Sequence, residues 1–298
     1  MDKNVKKVLE FSKKTSELPK IIVIYGPTGA GKTDMSIDIA KALDSEIIST
    51  DSRQIFKEMD IGTGKITKQE MKGVPHHMLD IVAPNEEYSV GEFKREAEKI
   101  MEKLYSEGKI PMLVGGTGLY IDSIIYEFDI PELPADWDLR NKLEEDRLKY
   151  GNERLHKELE KIDPEYAKEL HPNNYRYVMR AIEVKKLTGK SKTEFRQKKK
   201  LKYDALFFTP YKGDREELYN KINARVLKFE DLGVFREVKK LYEKYGEEAF
   251  GMKSIGYAEI IPYLKGEISK EKAIEEIQKN SRHYAKRQIT WFKKYENN

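Results

Sequence analysis

Glycine, lysine and hydroxyl residues are spaced for phosphate at Gly26-Pro27-Thr28-Gly29-Ala30-Gly31-Lys32-Thr33. The glycines let successive backbone N–H groups turn toward phosphate oxygens, and the start of a following helix adds positive partial charge. Lys32 can reach the outer phosphate, and the Thr33 hydroxyl can face Mg²⁺. The octet is a P-loop. The apolar run Ile21–Tyr25 precedes it and the helical pattern DMSIDIAKAL follows. A glycine-rich turn without a ligand would need neither neighbour, so a polyphosphate or diphosphate is expected here.

Two further polar turns follow apolar runs. Asp51-Ser52-Arg53-Gln54 follows EIIST (46–50), and Gly115-Gly116-Thr117-Gly118 closes PMLVG (111–115). An ordinary P-loop ATPase places an acid at the end of a second apolar strand to help hold Mg²⁺. The glycine turn carries none. Asp51 is the acidic residue that directly follows a predicted core strand near the loop. Three uses are open to it: a metal-associated carboxylate, a general base for an incoming nucleophile, or a helix N-cap. No lid or arginine finger of obvious kinase type stands out.

Strands at 21–25, 46–50 and 111–115, with a helix at 90–108 ending on Gly108, predict an α/β fold: a P-loop NTPase-like parallel sheet wrapped by helices. Ligands then sit at the carboxyl ends of the strands, where the three polar turns lie. Residues 126–201 change character, being charged and helix-rich without a convincing buried strand, and read as an inserted all-helical subdomain. DALFFTPY (204–211) returns the chain to the sheet. The core is therefore expected at 1–125 and 202–298.

The 298 residues are 39% hydrophobic and 36% charged, with a net charge of +4 and no cysteine. A disulfide framework and thiolate metal sites are excluded. No apolar run is long enough for a membrane span, and the first residues lack a signal-peptide core, so a cytoplasmic protein is expected. Monomer is the default. Basic residues gather at RQKKKLK (196–202) and at SRHYAKRQITWFKK (281–294), where His283, Tyr284, Trp291 and Phe292 interleave with the cations. Such a mixture suits contact with phosphates and stacked bases.

Seven blocks in order carry a resemblance: GPTGAGKT, STDSRQIFKEMDIGTGK, GVPHHMLDI, YSVGEF, LVGGTGLY, HPNN with RAIEV, and IGY with PYLKGEIS and YAKRQITWF. Over about residues 20–293 the chain resembles the tRNA dimethylallyltransferases. The resemblance implies transfer of a dimethylallyl group from dimethylallyl diphosphate to the exocyclic amine of the adenosine beside the tRNA anticodon. The P-loop would then hold a leaving group, which fits the missing acid. Mg²⁺ is the implied cofactor, and tRNA and dimethylallyl diphosphate are the implied partners.

Residue by residue, the resemblance makes Asp51 the base and places Thr117 near the amine, where a helix cap is its alternative. Arg225 would reach the diphosphate; without the resemblance it reads as a surface helix residue. Ser52, Arg53 and Gln54 extend the Asp51 turn toward the target base. Arg140, the run Arg176-Tyr177-Val178-Met179-Arg180 and the run Lys253-Ser254-Ile255-Gly256-Tyr257-Ala258 match segments that touch tRNA. Arg282, Lys286 and Arg287 would grip backbone phosphates. Two departures stand out: Gly29-Ala30 replaces the frequent Ala-Ser, and Tyr177 replaces a frequently basic residue. His76 and His77 are adjacent and do not converge easily on one ion, so a structural or tRNA-facing role is expected. The rivals are a small-molecule or nucleotide kinase, a nucleotide-gated RNA-binding protein, and a transferase for free adenylate.

Overall fold

The computed structural model describes residues 2–127, 136–195 and 198–296. In chain order the elements are α1 (Lys3–Lys13), β1 (Lys20–Tyr25), α2 (Lys32–Leu43), β2 (Ile47–Ser49), β3 (His76–His77), α3 (Val90–Ser106), β4 (Met112–Gly115) and α4 (Gly118–Ile125). Next come β5 (Tyr126–Glu127), α5 (Trp137–Tyr150), α6 (Asn152–Ile162), α7 (Pro164–Ala167), α8 (Tyr175–Thr188) and β6 (Lys198–Leu201). The chain ends with β7 (Asp204–Phe208), α9 (Arg215–Leu232), α10 (Val234–Tyr245), α11 (Ile261–Leu264) and α12 (Lys270–Phe292).

Five strands form a sheet in the order β3-β2-β4-β1-β7, and every pair in it is parallel. Central β1, KIIVIY, is buried from Ile21 to Tyr25, as a strand covered on both faces requires. Ile22, Ile24, Ile47 and Met112 pack with Val8 and Phe11 of α1 and with Ile37 and Ala40 of α2. Helix α3 starts where the Ser89 hydroxyl accepts from Glu92 N–H while the Glu92 carboxylate accepts from Ser89 N–H, a capping box. Gly108, with φ of +72°, lies just past its end. Edge strand β3 was not legible as a strand, because two histidines carry no apolar alternation. Ile47 and Ile48 pair with them, and the His77 ring sits 2.6 Å from the Glu46 carboxylate.

The chain divides into two compact units, 1–125 with 201–298, and 126–200. The second is built on Leu143, Leu155, Leu159, Val178, Ala181 and Ile182 from α5, α6 and α8. It is not purely helical: β5 pairs with β6. The segments that flank the insert run side by side, and pairing satisfies backbone groups that bare connections would leave open. Among the described residues no helix is long and apolar enough to cross a membrane.

Candidate active site

The P-loop runs from the end of β1 to the first turn of α2. Gly31 caps that helix with φ of +86°, a conformation that costs a side-chain-bearing residue roughly 1 kcal/mol or more. Gly29, at φ of +78°, also passes so close to α9 that a Cβ would sit 3.1 Å from Ile222. Ala30 packs with Leu218, Ile222, Ala285 and Ile289, so α9 and α12 grip the loop from behind. The Gly29-Ala30 departure thus serves packing. Lys32 Nζ donates to the carbonyls of Gly26 at 3.0 Å and Pro27 at 2.9 Å. Loss of hydration lowers its pKa to about 8; Asp51 opposes that shift and Arg225 adds to it. Thr33 is exposed at the helix start.

Arg225 is not a surface residue. From α9 its Nη1 donates to Thr28 Oγ1 at 3.2 Å, its Nη2 points at Thr63 O at 3.5 Å, and its guanidinium lies 5.0 Å from the Phe229 ring centre. Gly64 makes room, since a Cβ there would strike the guanidinium. Burial holds the Arg225 pKa below its ordinary value, against the pull of Asp51 and Glu70. Gln54 Nε2 donates to Gly64 O at 3.2 Å and so tethers the same loop.

Asp51 does not cap a helix. No helix follows it; its Oδ1 accepts from Arg53 N–H at 2.9 Å and closes a tight turn. Thr117 stands at the start of α4, and its carbonyl accepts from Tyr120 and Ile121 N–H. Its hydroxyl, however, accepts from Ser52 N–H at 3.0 Å and lies 3.3 Å from Ser52 Oγ. A cap would turn that hydroxyl into its own helix, whereas here it ties the glycine turn to the Asp51 turn. Tyr284 of α12 lies beside the Thr117 side chain, and burial, with Asp51 nearby, pushes the phenol up to about 12. The three polar turns do converge on one crevice.

Sequence reasoning read Tyr284 and Trp291 of α12 as partners for phosphates and stacked bases, and missed Gln288 and the inward face that all three share. Gln288 is buried; its Oε1 accepts from Thr28 N–H and its Nε2 donates to Gly116 O, both at 2.9 Å. Trp291 lies over Gly118, where a Cβ would overlap the indole. Tyr284, Gln288 and Trp291 are spaced i, i+4, i+7, a one-face signal that the surrounding cations obscured. Glu237 was missed too. Its carboxylate accepts from Asp60, Ile61 and Gly62 N–H at 2.8–3.1 Å and from the Tyr257 hydroxyl at 2.5 Å, which fixes the loop behind Arg225.

The positions expected to meet tRNA separate by burial. Val178 is fully buried and Met179 packs against the same core, so neither side chain is free for RNA. Arg140 and Arg180 both clasp the buried Glu183, Arg140 through two nitrogens at 2.8 and 3.0 Å. Arg176 and Tyr177 are exposed, with Lys192 Nζ 5.2 Å from the Tyr177 ring. Ser254, Gly256 and Tyr257 are buried, Ile255 is half-buried, and Lys253 and Ala258 are exposed. A Cβ at Gly256, φ +93°, would sit 3.3 Å from Gly62 O, so the buried part of this run supports the loop and Lys253 is its cation left at the surface. Lys286 and Arg287 are exposed, while Arg282 donates to Asn223 Oδ1 at 2.6 Å. Of the basic run 196–202, Arg196 and Gln197 lie outside the described residues; Lys202 pairs with Glu98 at 3.0 Å. His76 and His77 take structural roles, and the described residues hold no cluster of three or more metal-ligating side chains.

With this geometry in place, comparison with known proteins gives one answer. The sequence profile of the IPP transferase family matches residues 54–295. A tRNA dimethylallyltransferase of Caldanaerobacter subterraneus is 44% identical over 285 residues, covering 93% of this chain and 90% of that one. One from Alkaliphilus oremlandii is 46% identical, with the same coverage. The full-length tRNA isopentenylpyrophosphate transferase of Bacillus halodurans, a crystal structure, superposes with a TM-score of 0.66 at 43% identity, over 92% of this chain and 86% of that one. A eukaryotic dimethylallyltransferase crystallised acting on tRNA gives a TM-score of 0.80 at 34% identity, over 92% of this chain and 70% of that one. The chain belongs to the IPP transferase family.

Proposed function

We propose that this chain transfers a dimethylallyl group from dimethylallyl diphosphate to the exocyclic N6 amine of the adenosine 3′-adjacent to the tRNA anticodon. One observation carries the reading. Lys32 and Arg225 present positive charge beside the Asp51–Thr117 turns with no carboxylate in ion-pair range among the described residues, and the turn after β4 offers glycine and threonine instead of an acid. A diphosphate leaving group needs the cations; a γ-phosphoryl transfer would also want the acid.

In the reaction the donor C1–O bond breaks and its electron pair leaves with the diphosphate, while an N6–C1 bond forms. P-loop amides, Lys32 and Arg225 meet the growing negative charge. The displaced N6 proton goes to the Asp51 carboxylate, which helps because the amine lone pair is delocalised into adenine. Thr117, held by Ser52, positions the amine beside it. The stacked base must be turned out of the anticodon loop to arrive there, and the exposed Arg176, Tyr177, Lys253, Lys286 and Arg287 are the side chains assigned to the RNA.

The donors present fit Mg²⁺. The Thr33 hydroxyl, exposed at the start of α2, is a hard oxygen donor of the kind such an ion takes, the rest of its shell being water and substrate phosphate. When bound, it would neutralise charge gathering on the diphosphate.

The test is incubation with undermodified tRNA and dimethylallyl diphosphate, followed by nucleoside mass analysis. The expected product is an adenosine heavier by one dimethylallyl group, with diphosphate released. ATP-dependent phosphorylation of a small acceptor, or nucleotide-tightened tRNA binding without transfer, would replace this reading by one of its rivals.

A further inference from the structure

We infer that Gln288 is a positioning residue that ties the diphosphate side of the crevice to the amine side, an assignment that rests on prenyl transfer as the reaction. Its carboxamide joins Thr28 N–H, in the P-loop, to Gly116 O, in the turn that carries Thr117. Only one orientation of the amide satisfies both bonds, because the first partner must be met by an acceptor and the second by a donor. Thr28 also receives Arg225, and Thr117 also holds Ser52 beside Asp51. The cation pair and the base are therefore set in register through one planar group supplied from α12.

The surroundings favour this use over ordinary core packing. Gly116 makes room for the amide, and a methyl there would land on Nε2. One turn earlier Tyr284 reaches Thr117, and one turn later Trp291 covers Gly118. A whole helix face thus serves the two turns. Transfer needs donor carbon and amine at near-contact distance, where a displacement of about 1 Å costs about 100-fold in rate.

Two variants test the assignment. Gln288→Leu removes both bonds. Gln288→Glu reproduces them only when protonated, its carbonyl accepting from Thr28 and its hydroxyl donating to Gly116; ionised, it turns lone pairs on the Gly116 carbonyl. Among the described residues, the charged groups on surrounding elements are Lys32 in the P-loop, Arg225 on α9, Asp51 and Arg53 in their turn and Asp122 on α4. The last is already held by Lys294 and Tyr295. Tyr284, Lys286 and Arg287 lie on α12 itself. Single-turnover rates at saturating tRNA and dimethylallyl diphosphate, taken as ratios to the wild type, should fall about 100-fold for Gln288→Leu at every pH, with tRNA affinity unchanged. For Gln288→Glu the ratio should start equally low near pH 8 and climb at least about tenfold by pH 5.5, as a buried glutamate takes up its proton. A Gln288→Glu ratio flat in pH, or a folded Gln288→Leu within about threefold of wild type, would overturn the assignment. If Gln288→Leu does not fold, the glutamate ratio alone decides. A wild type that transfers nothing to tRNA would instead refute the reaction.

Discussion

The crevice of the larger unit and the core of the helical insert both bury charge, and they treat it in opposite ways. In the insert, Glu183 is completely buried, and Arg140 and Arg180 both clasp it, with Asp136 N–H adding a bond at 3.1 Å. Burial alone would raise its pKa, but the two arginines outweigh burial and hold it below the ordinary carboxylate range. In the crevice, Lys32 and Arg225 hydrogen-bond, among the described residues, to neutral oxygens: two loop carbonyls for the lysine, a threonine hydroxyl and a more distant carbonyl for the arginine. Matched charges make structure, whereas unmatched ones await a ligand. An arginine in the sequence does not reveal which kind it is; its neighbours do.

The largest effect should come from removing the carboxylate that acts on both of those cations. Asp51→Asn keeps an oxygen for Arg53 N–H, so the turn and the melting temperature should stay close to wild type. Without a proton acceptor the single-turnover rate should drop by roughly 100- to 10,000-fold. Recovery at raised Mg²⁺ would move Asp51 from base to metal ligand. On the insert side, Glu183→Ala strands two guanidinium groups that keep only 26% and 27% of their surface exposed. The expected loss is about 3 kcal/mol, the low end for a broken buried pair, since some water still reaches both cations. Hydrogen exchange should speed up through 137–188 and stay unchanged at 20–33. Because the Glu183 pKa is depressed, its stabilisation is present above the unfolded value of about 4.3 and fades on acidification through its folded value.

Residue type and spacing made the P-loop, the parallel sheet and the Asp51 and Thr117 turns legible, because each follows an apolar strand and each needs backbone geometry that few sequences provide. What stayed hidden depends on contacts between positions far apart in the chain. Gln288 meets Thr28 across 260 residues and Gly116 across 172. Nothing local separates it from the cations around it. Glu237 reads as one more charge on an exposed helix until the loop at 60–62 is folded onto it. Val178 and Tyr257 failed as RNA contacts for the converse reason: a motif can match a family along its whole length while alternate side chains turn inward.

A smaller effect sharpens the crevice side. With Lys32 titrating at about 8, near-neutral solutions keep it charged with or without ligand. Above that pH the free lysine loses its proton, while a bound diphosphate would hold it. Diphosphate binding should therefore take up a proton, and affinity should weaken about tenfold per pH unit above 8 until the bound lysine itself titrates. Calorimetry in buffers of different ionisation enthalpy would register the uptake. Lys32→Ala should bind more weakly and lose this dependence; a slope that survives the substitution assigns it to another group.

The smallest effect divides the outer face of α12 by the same rule of neighbours. Lys286 and Arg287 are exposed, and Arg287 lies over the Tyr284 ring, 5.6 Å from ring centre to guanidinium carbon. Arg282, four to five residues earlier, is already spent on Asn223 of α9. A cation that grips a phosphate releases a counterion, and each such contact on single-stranded or duplex nucleic acid contributes about 0.7 to 0.9 to the log–log salt slope of binding. Neutralising Lys286 and Arg287 together should lower the slope by about 1.4 to 1.8, with a matching loss of affinity at low salt. Arg282→Gln keeps a donor for Asn223 and should leave the slope where it was. Filter binding of tRNA over a salt series would separate the two variants. If Arg282→Gln flattens the slope and the double variant does not, then the hydrogen bond to Asn223 is broken on tRNA binding, and the exposed pair merely solvates the helix.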